Sequence, residues 1–331
     1  MKIIEVIADS GHIDTVTSIA EKNDCPDIWT SPQGEDGRQV VRMIVSPEKT
    51  QDILDALQGI LGTSENSRIN IIPLEVTLPR QPEEKEEAQE KKSTTTTREE
   101  LYNNIEKDSR LDGNFLLLVF LSTIVAAIGL IEDNVAIIIG AMVIAPLLGP
   151  NIALALATAL GDTELMWKSL QTNLVGLIFA ISVTALIGLL WPGELDSREL
   201  MSRTDVGLDG VVLALASGAA AVLSLTTGLP SVLVGVMVAV ALLPPATTMG
   251  LMLGRGYFDL MAGAGLLLAV NIVCVNLSAK LVLLAKGVRP RTWLEKRKAR
   301  QSTTTYIVFW VITLAILITV IIIRGDILFI P

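Results

Sequence analysis

Asn134–Leu160 reads NVAIIIGAMVIAPLLGPNIALALATAL, apolar enough to cross a bilayer yet carrying Pro146, Gly149 and Pro150 in its middle. A proline inside a helix removes a backbone donor and clashes with the preceding turn, so the spacing predicts a break there. In hydrocarbon the freed backbone groups must meet protein, ligand or water, and such a break is expected to line a cavity. The pattern returns at Pro230–Gly254, PSVLVGVMVAVALLPPATTMGLMLG. Sliding one stretch onto the other pairs Gly140 with Gly235, Met142 with Met237 and Pro150 with Pro245. The flanking segments also correspond in length and apolarity, so one duplicated unit is expected to build the membrane part.

Composition agrees with this. Half of the 331 residues are apolar, and several runs reach the roughly 20 residues that a spanning helix needs. The expected class is a polytopic α-helical membrane protein. The opening MKIIEVIADSGH has no positively charged leader followed by an apolar core, so no cleaved signal is expected. The net charge of −9 is concentrated early: residues 1–113 carry 13 basic and 23 acidic side chains. An acidic soluble part argues against nucleic acid as a partner. Cys25, Cys274 and a lone histidine can form neither a disulfide framework nor a zinc site, and no cofactor or metal is expected.

Residues 1–79 read as a soluble α+β unit. KIIEVIA suits a strand, and Gly11–Asn23 has helical spacing through Ile13, Val16 and Ile19. DIWT and RQVVRMIVS follow as strands, Pro47 opens a second helix with Ile53, Leu54, Leu57, Ile60 and Leu61 on one face, and RINIIPLEVTL closes as a strand. The order βαββαβ is that of a ferredoxin-like fold, shared by small sensory modules. His12 invites reading as a ligand contact, but Asp9, Ser10 and Gly11 beside it suit a helix cap, and capping is the reading preferred. Residues 80–100 contain almost nothing that could be buried and read as a charged linker. Leu101–Asp112 reads as a short amphipathic helix at the interface, completing a linker region of 80–112.

Seven spans follow: Asn114–Leu130, the broken Asn134–Leu160, Met166–Leu190, Asp209–Leu225, the broken Pro230–Gly254, Leu260–Leu284 and Thr304–Ile323. They divide the chain into repeat 1 (113–190), an external loop (191–208), repeat 2 (209–285), a basic cytoplasmic loop (286–303) and a last helix (304–323). The connection KGVRPRTWLEKRKARQ carries seven basic residues against Glu295 alone and should lie in the cytoplasm. The N-terminal unit, six crossings earlier, is then cytoplasmic too, and the C-terminus outside. Three spans per repeat is odd, so the copies should enter from opposite sides. The expected architecture is therefore an inverted 3+3 helix repeat with broken helices plus a seventh span, as in secondary transporters.

The breaks are where chemistry is expected. Second half-helices should begin at Asn151, after Pro146, Gly149 and Pro150, and at Ala246, Thr247 and Thr248, after Pro244 and Pro245. A helix N-terminus presents unpaired N–H groups and about half a positive charge, so two converging termini would bind an anion without lysine or arginine. The competing reading is that the prolines only kink helices for packing. Asn173 and Asn271 occupy nearly corresponding places in the third span of each repeat. Packing glue is the default for them, cavity lining the alternative. Asn276 and Ser278 read as packing too, and Lys280, about a turn from the helix end, as a snorkelling side chain. No Asp or Glu falls inside an apolar run, which weakens a proton-coupled reading.

The motif GAMVIAPLLGP, the matching LLPPATTMG and the α/β unit ahead of a hydrophobic core resemble the prokaryotic domain-of-unknown-function 389 family, conserved hydrophobic proteins. The resemblance implies a bacterial or archaeal inner (plasma) membrane protein and brings no substrate or catalytic residue with it. The function expected is a transporter or channel for a small, anionic solute with a cytoplasmic regulatory domain. The alternative is a membrane-anchored sensor that couples solute or lipid binding to the soluble domain. With no nucleophile–base pair or Gly-rich phosphate loop, an enzyme is not expected. The partners expected are the solute, the lipid bilayer and further copies of the chain in a homo-oligomer.

Overall fold

The computed structural model describes residues 1–62, 64, 66–74, 98–226, 231–288 and 293–328, with backbone alone at 47, 98, 231–241, 293–305 and 325–328. The predicted linker over 80–97, the end of the last predicted strand, residues 289–292 of the basic loop and the side chains of Gly235 and Met237 lie outside the described residues. The chain forms two compact units, Met1–Arg98 and Glu99–Pro331.

The first unit runs β1 (Lys2–Asp9), α1 (Ile13–Lys22), β2 (Ile28–Thr30), β3 (Arg38–Val45), α2 (Pro47–Leu61) and β4 (Arg68–Pro73). Its sheet has the order β2-β3-β1-β4, with every neighbouring pair antiparallel. The period of two puts Ile4, Val6 and Ala8 of β1 and Val41, Met43 and Val45 of β3 on one face, where they pack against Val16 and Ala20 of α1 and Ile53, Leu54 and Leu57 of α2. On the opposite face Glu5 accepts from Arg42 at 2.9 Å and Asn70 at 3.4 Å, tying β1 to both neighbours. The expected side-chain cap at the start of α1 is not formed. Neither Asp9 nor His12 caps a helix end with its side chain, and the Ser10 N–H donates to the Gly37 carbonyl at 3.3 Å.

The second unit is helical throughout: α3 (Arg98–Asp108), α4 (Gly113–Ile131), α5 (Val135–Ile144), α6 (Leu148–Leu160), α7 (Thr163–Leu190), α8 (Arg198–Met201), α9 (Leu208–Thr226), α10 (Ser231–Arg255), α11 (Phe258–Ala285) and α12 (Trp293–Leu328). Side chains fix several of the starts. Asp112 accepts from the Phe115 N–H at 2.7 Å, Asn134 from Ala136 and Ile137, and Asp162 from Glu164 and Leu165, each satisfying N–H groups that a first turn leaves orphaned. Among the described residues, α4, α7, α9, α11 and the stretch Tyr306–Arg324 of α12 are long and apolar enough to cross a membrane, and α5 with α6 makes a sixth, bent span. This is a polytopic membrane protein. The apolar face expected of α3 is used for packing: Leu101 and Ile105 are buried in one cluster with Phe115, Leu148 and Ile152.

Close approaches give the helix directions. A Cβ on Gly250 would meet Thr184 and Ile181, and one on Gly254 would meet Ala185 and Leu189, so α10 lies parallel along α7. Likewise Gly210 faces Leu267 and Gly218 faces Val275 and Ser278, so α9 runs parallel along α11. Arg324 near the end of α12 donates to the Asp259 carbonyl at the start of α11, at 2.7 Å.

Candidate functional site

The corner between α5 and α6 follows from Pro146. Its ring crowds the preceding residue out of the helical region, and Ala145 is extended, with ψ 122°. The two segments diverge by 54°. Pro150 falls in the first turn of α6, where a missing N–H leaves no carbonyl unpaired. Gly149 has a different purpose. The Asp108 carbonyl at the end of α3 lies directly against it, its carbon 2.7 Å from where a Cβ would stand. Any side chain there would push α3 away.

One turn into α6, Asn151 is fully buried and accepts a hydrogen bond from Asn276 of α11 at 2.7 Å. Asn276 Nδ2 also donates to the Ile272 carbonyl at 2.9 Å. Asn151 Nδ2 and Asn276 Oδ1 have no partner among the described residues. Asn173, also buried and with no partner for its Oδ1 among the described residues, lies one turn before Gly176, whose surface meets Phe115 and Leu147. It therefore sits on the side of α7 that looks toward the corner. Asn271 is buried on α11, about 7.5 Å before Asn276 at 1.5 Å per residue. Thr247 and Thr248 are completely buried, and their hydroxyls have no partner among the described residues. They lie a turn before the Gly250 contact with Ile181 and Thr184, and so roughly 8–10 Å along the helix axes from the level of Asn173.

The second break is a correction. α10 is one continuous helix with Pro244 and Pro245 inside it, so no half-helix begins at Ala246, and the two facing N-termini reduce to the one of α6. The residues Leu242–Thr248 are all buried, and α7 presses its backbone against Gly250 and Gly254. Inside a spanning helix, neighbouring helices can compensate carbonyls freed by proline.

Lys280 is the residue that sequence reasoning misplaced. It does not snorkel. It is 0 % exposed, its Nζ has no hydrogen-bond partner among the described residues, and it stands 5.2 Å from the centre of the Tyr306 ring of α12. The available signal was its spacing: four residues after Asn276, it shares that residue's helix face.

α3 is fastened at both ends of α6. Besides the Asp108 contact, the Tyr102 hydroxyl donates to Asp162 Oδ2 at 2.7 Å, just beyond the end of α6. Burial, and then the hydrogen bond to the Asp162 carboxylate, push the Tyr102 phenol well above its ordinary value.

Comparison with known proteins bears on the same region. The model of the domain of unknown function DUF389 matches residues 142–277, from α5 through the Asn276 turn of α11. An uncharacterized protein of Methanocaldococcus jannaschii is 36% identical over 296 residues, 89% of this chain and 91% of the relative. This chain belongs to the DUF389 family. No solved structure matches it. The stretch of this DUF389 member that matches the family model contains the corner and every amide named above; Lys280 and Tyr306 lie beyond it.

Proposed function

We propose that this DUF389 protein passes a small anionic solute across the membrane, with its site at the first turn of α6. The observation that carries the reading is the Asn151–Asn276 pair: two buried amides bonded to each other, each keeping one unpartnered end beside a break in a spanning helix. Buried polar groups are normally satisfied within the protein, and unpartnered ones close to a helix N-terminus are suited to a polar ligand. The inverted-repeat reading is supported by the helix directions. α4 and α9 run opposite ways, and the third helix of each half lies along the second of the other, α7 on α10 and α11 on α6. This is the arrangement in which midplane transport sites are built. The sheet order of the first unit, β2-β3-β1-β4, supports a ferredoxin-like regulatory module. The basic loop supports placing that module in the cytoplasm, the C-terminus outside and the protein in the inner (plasma) membrane.

The fastening of α3 to both ends of α6 supports a second reading, in which the membrane unit senses a solute and moves α3 without passing anything. Anion flux into proteoliposomes holding the full chain decides between them. Flux above protein-free vesicles, reduced in Pro146→Ala, is expected; wild-type protein that moves no anion overturns the transport reading.

A further inference from the structure

Resting on the transport reading, we propose that the anion carries a hydrogen-bond donor of its own, as bicarbonate and the short hydroxy acids do. The amide pair shows which ends are left to meet it. Asn276 lies 2.9 Å from the Ile272 carbonyl, a group that can only accept, so the atom bonded there is its NH2 nitrogen. The same nitrogen stands 2.7 Å from Asn151, so the Asn151 atom it meets is the carbonyl oxygen. The network thereby fixes which way both amides point. What is left is one end of each kind: Nδ2 of Asn151, a donor, and Oδ1 of Asn276, an acceptor, neither with a partner among the described residues. Both residues are at most 1 % exposed, so neither end is turned to bulk water.

Covalent geometry holds the two ends close. Bond lengths of about 1.23 and 1.33 Å keep an amide's oxygen and nitrogen no more than about 2.6 Å apart. Two such spans and the 2.7 Å bond between them put the free donor within about 8 Å of the free acceptor. A small solute hydrogen-bonded at both ends covers that distance. The ends also differ in what they favour. Asn151 lies in the first turn of α6, where the helix terminus adds about half a positive charge, so the negative end of the solute belongs there. Asn276, brought in by α11, offers a lone pair. An O–H satisfies it; chloride, nitrate or acetate can only set negative charge against it or leave it unpaired. A site that bonds a substrate hydroxyl rejects the analogue lacking it, by about tenfold or more for one lost partner.

The test uses full-length protein in proteoliposomes at about pH 8, where the acids are anions, with flux counted above protein-free vesicles. Lactate is paired with propionate and glycolate with acetate, each pair differing by one hydroxyl, and nitrate is the bare acceptor. The wild type should move lactate and glycolate about tenfold or more faster than their partners and nitrate. Asn276→Leu, which removes the acceptor, should bring each pair to nearly equal rates. Propionate, acetate and nitrate moving as fast as the hydroxy acids in the wild type overturns the donor requirement while leaving transport intact, whereas a wild type that moves no anion removes both. A preference that survives in Asn276→Leu overturns the role of Asn276. Should Asn276→Leu not fold, thermal unfolding of the wild type in detergent decides: lactate should raise the midpoint more than propionate at equal concentration, and no difference overturns the proposal.

Discussion

The buried amide pair makes a prediction with an unusual asymmetry. Asn276 Nδ2 donates to both Asn151 Oδ1 and the Ile272 carbonyl, whereas Asn151 has only the one bond and an unpartnered Nδ2. Asn276→Leu therefore leaves both ends of the Asn151 amide unsatisfied inside the protein, which costs about 1–3 kcal/mol for the newly orphaned group. Asn151→Leu leaves Asn276 still bonded to Ile272, so it loses only an interhelical bond, about 0.6 kcal/mol on average between membrane helices. The double variant leaves no unpaired amide and should lie near 1 kcal/mol, well below the sum of the singles. Unfolding of the purified protein in mixed detergent, followed by tryptophan fluorescence, measures all four states. Equal costs for the two single changes, or additivity within about 0.5 kcal/mol, would refute the pairing and with it the site.

Pro146→Ala should straighten the α5–α6 corner and lower anion flux, while Pro245→Ala should leave flux near wild type, because α10 is already continuous; equal loss in both would contradict this in the same vesicle assay. Gly149→Val should displace α3 and destabilise the membrane unit by about 1–3 kcal/mol, the usual cost of overpacking, seen as a lower unfolding midpoint. The fold favours the neutral phenol of Tyr102, so its contribution is complete below about pH 10, the free phenol's range, and is lost as pH rises beyond it. The wild-type midpoint should fall more steeply than that of Tyr102→Phe in a series from about pH 8 to pH 11; parallel curves would remove Tyr102 as the cause.

Local chemistry was legible wherever a residue acts on its own backbone. The runs of apolar residues marked the ends of α4, α7, α9 and α11 to within a few positions, and Pro146 bent the chain by crowding Ala145. The strands of the first unit followed from alternation, since one face of β1 and β3 must meet α1 and α2. The same reasoning failed where neighbours outweigh local preference. Pro244 and Pro245 argue for a break by every local rule, yet α10 is continuous through them, with Leu242–Thr248 buried among its neighbours.

The amides show the same division. The sequence by itself determined that Asn151, Asn173, Asn271 and Asn276 lie in apolar helices, and that Lys280 shares a face with Asn276. Only the tertiary structure decided that Asn276 reaches across to Asn151, that the threonines stand on another level, and that Lys280 is closed off beneath Tyr306. Helical spacing fixes where a side chain lies around its own axis. What it meets there depends on how the helices pack, and that is set by close approaches between residues far apart in the chain.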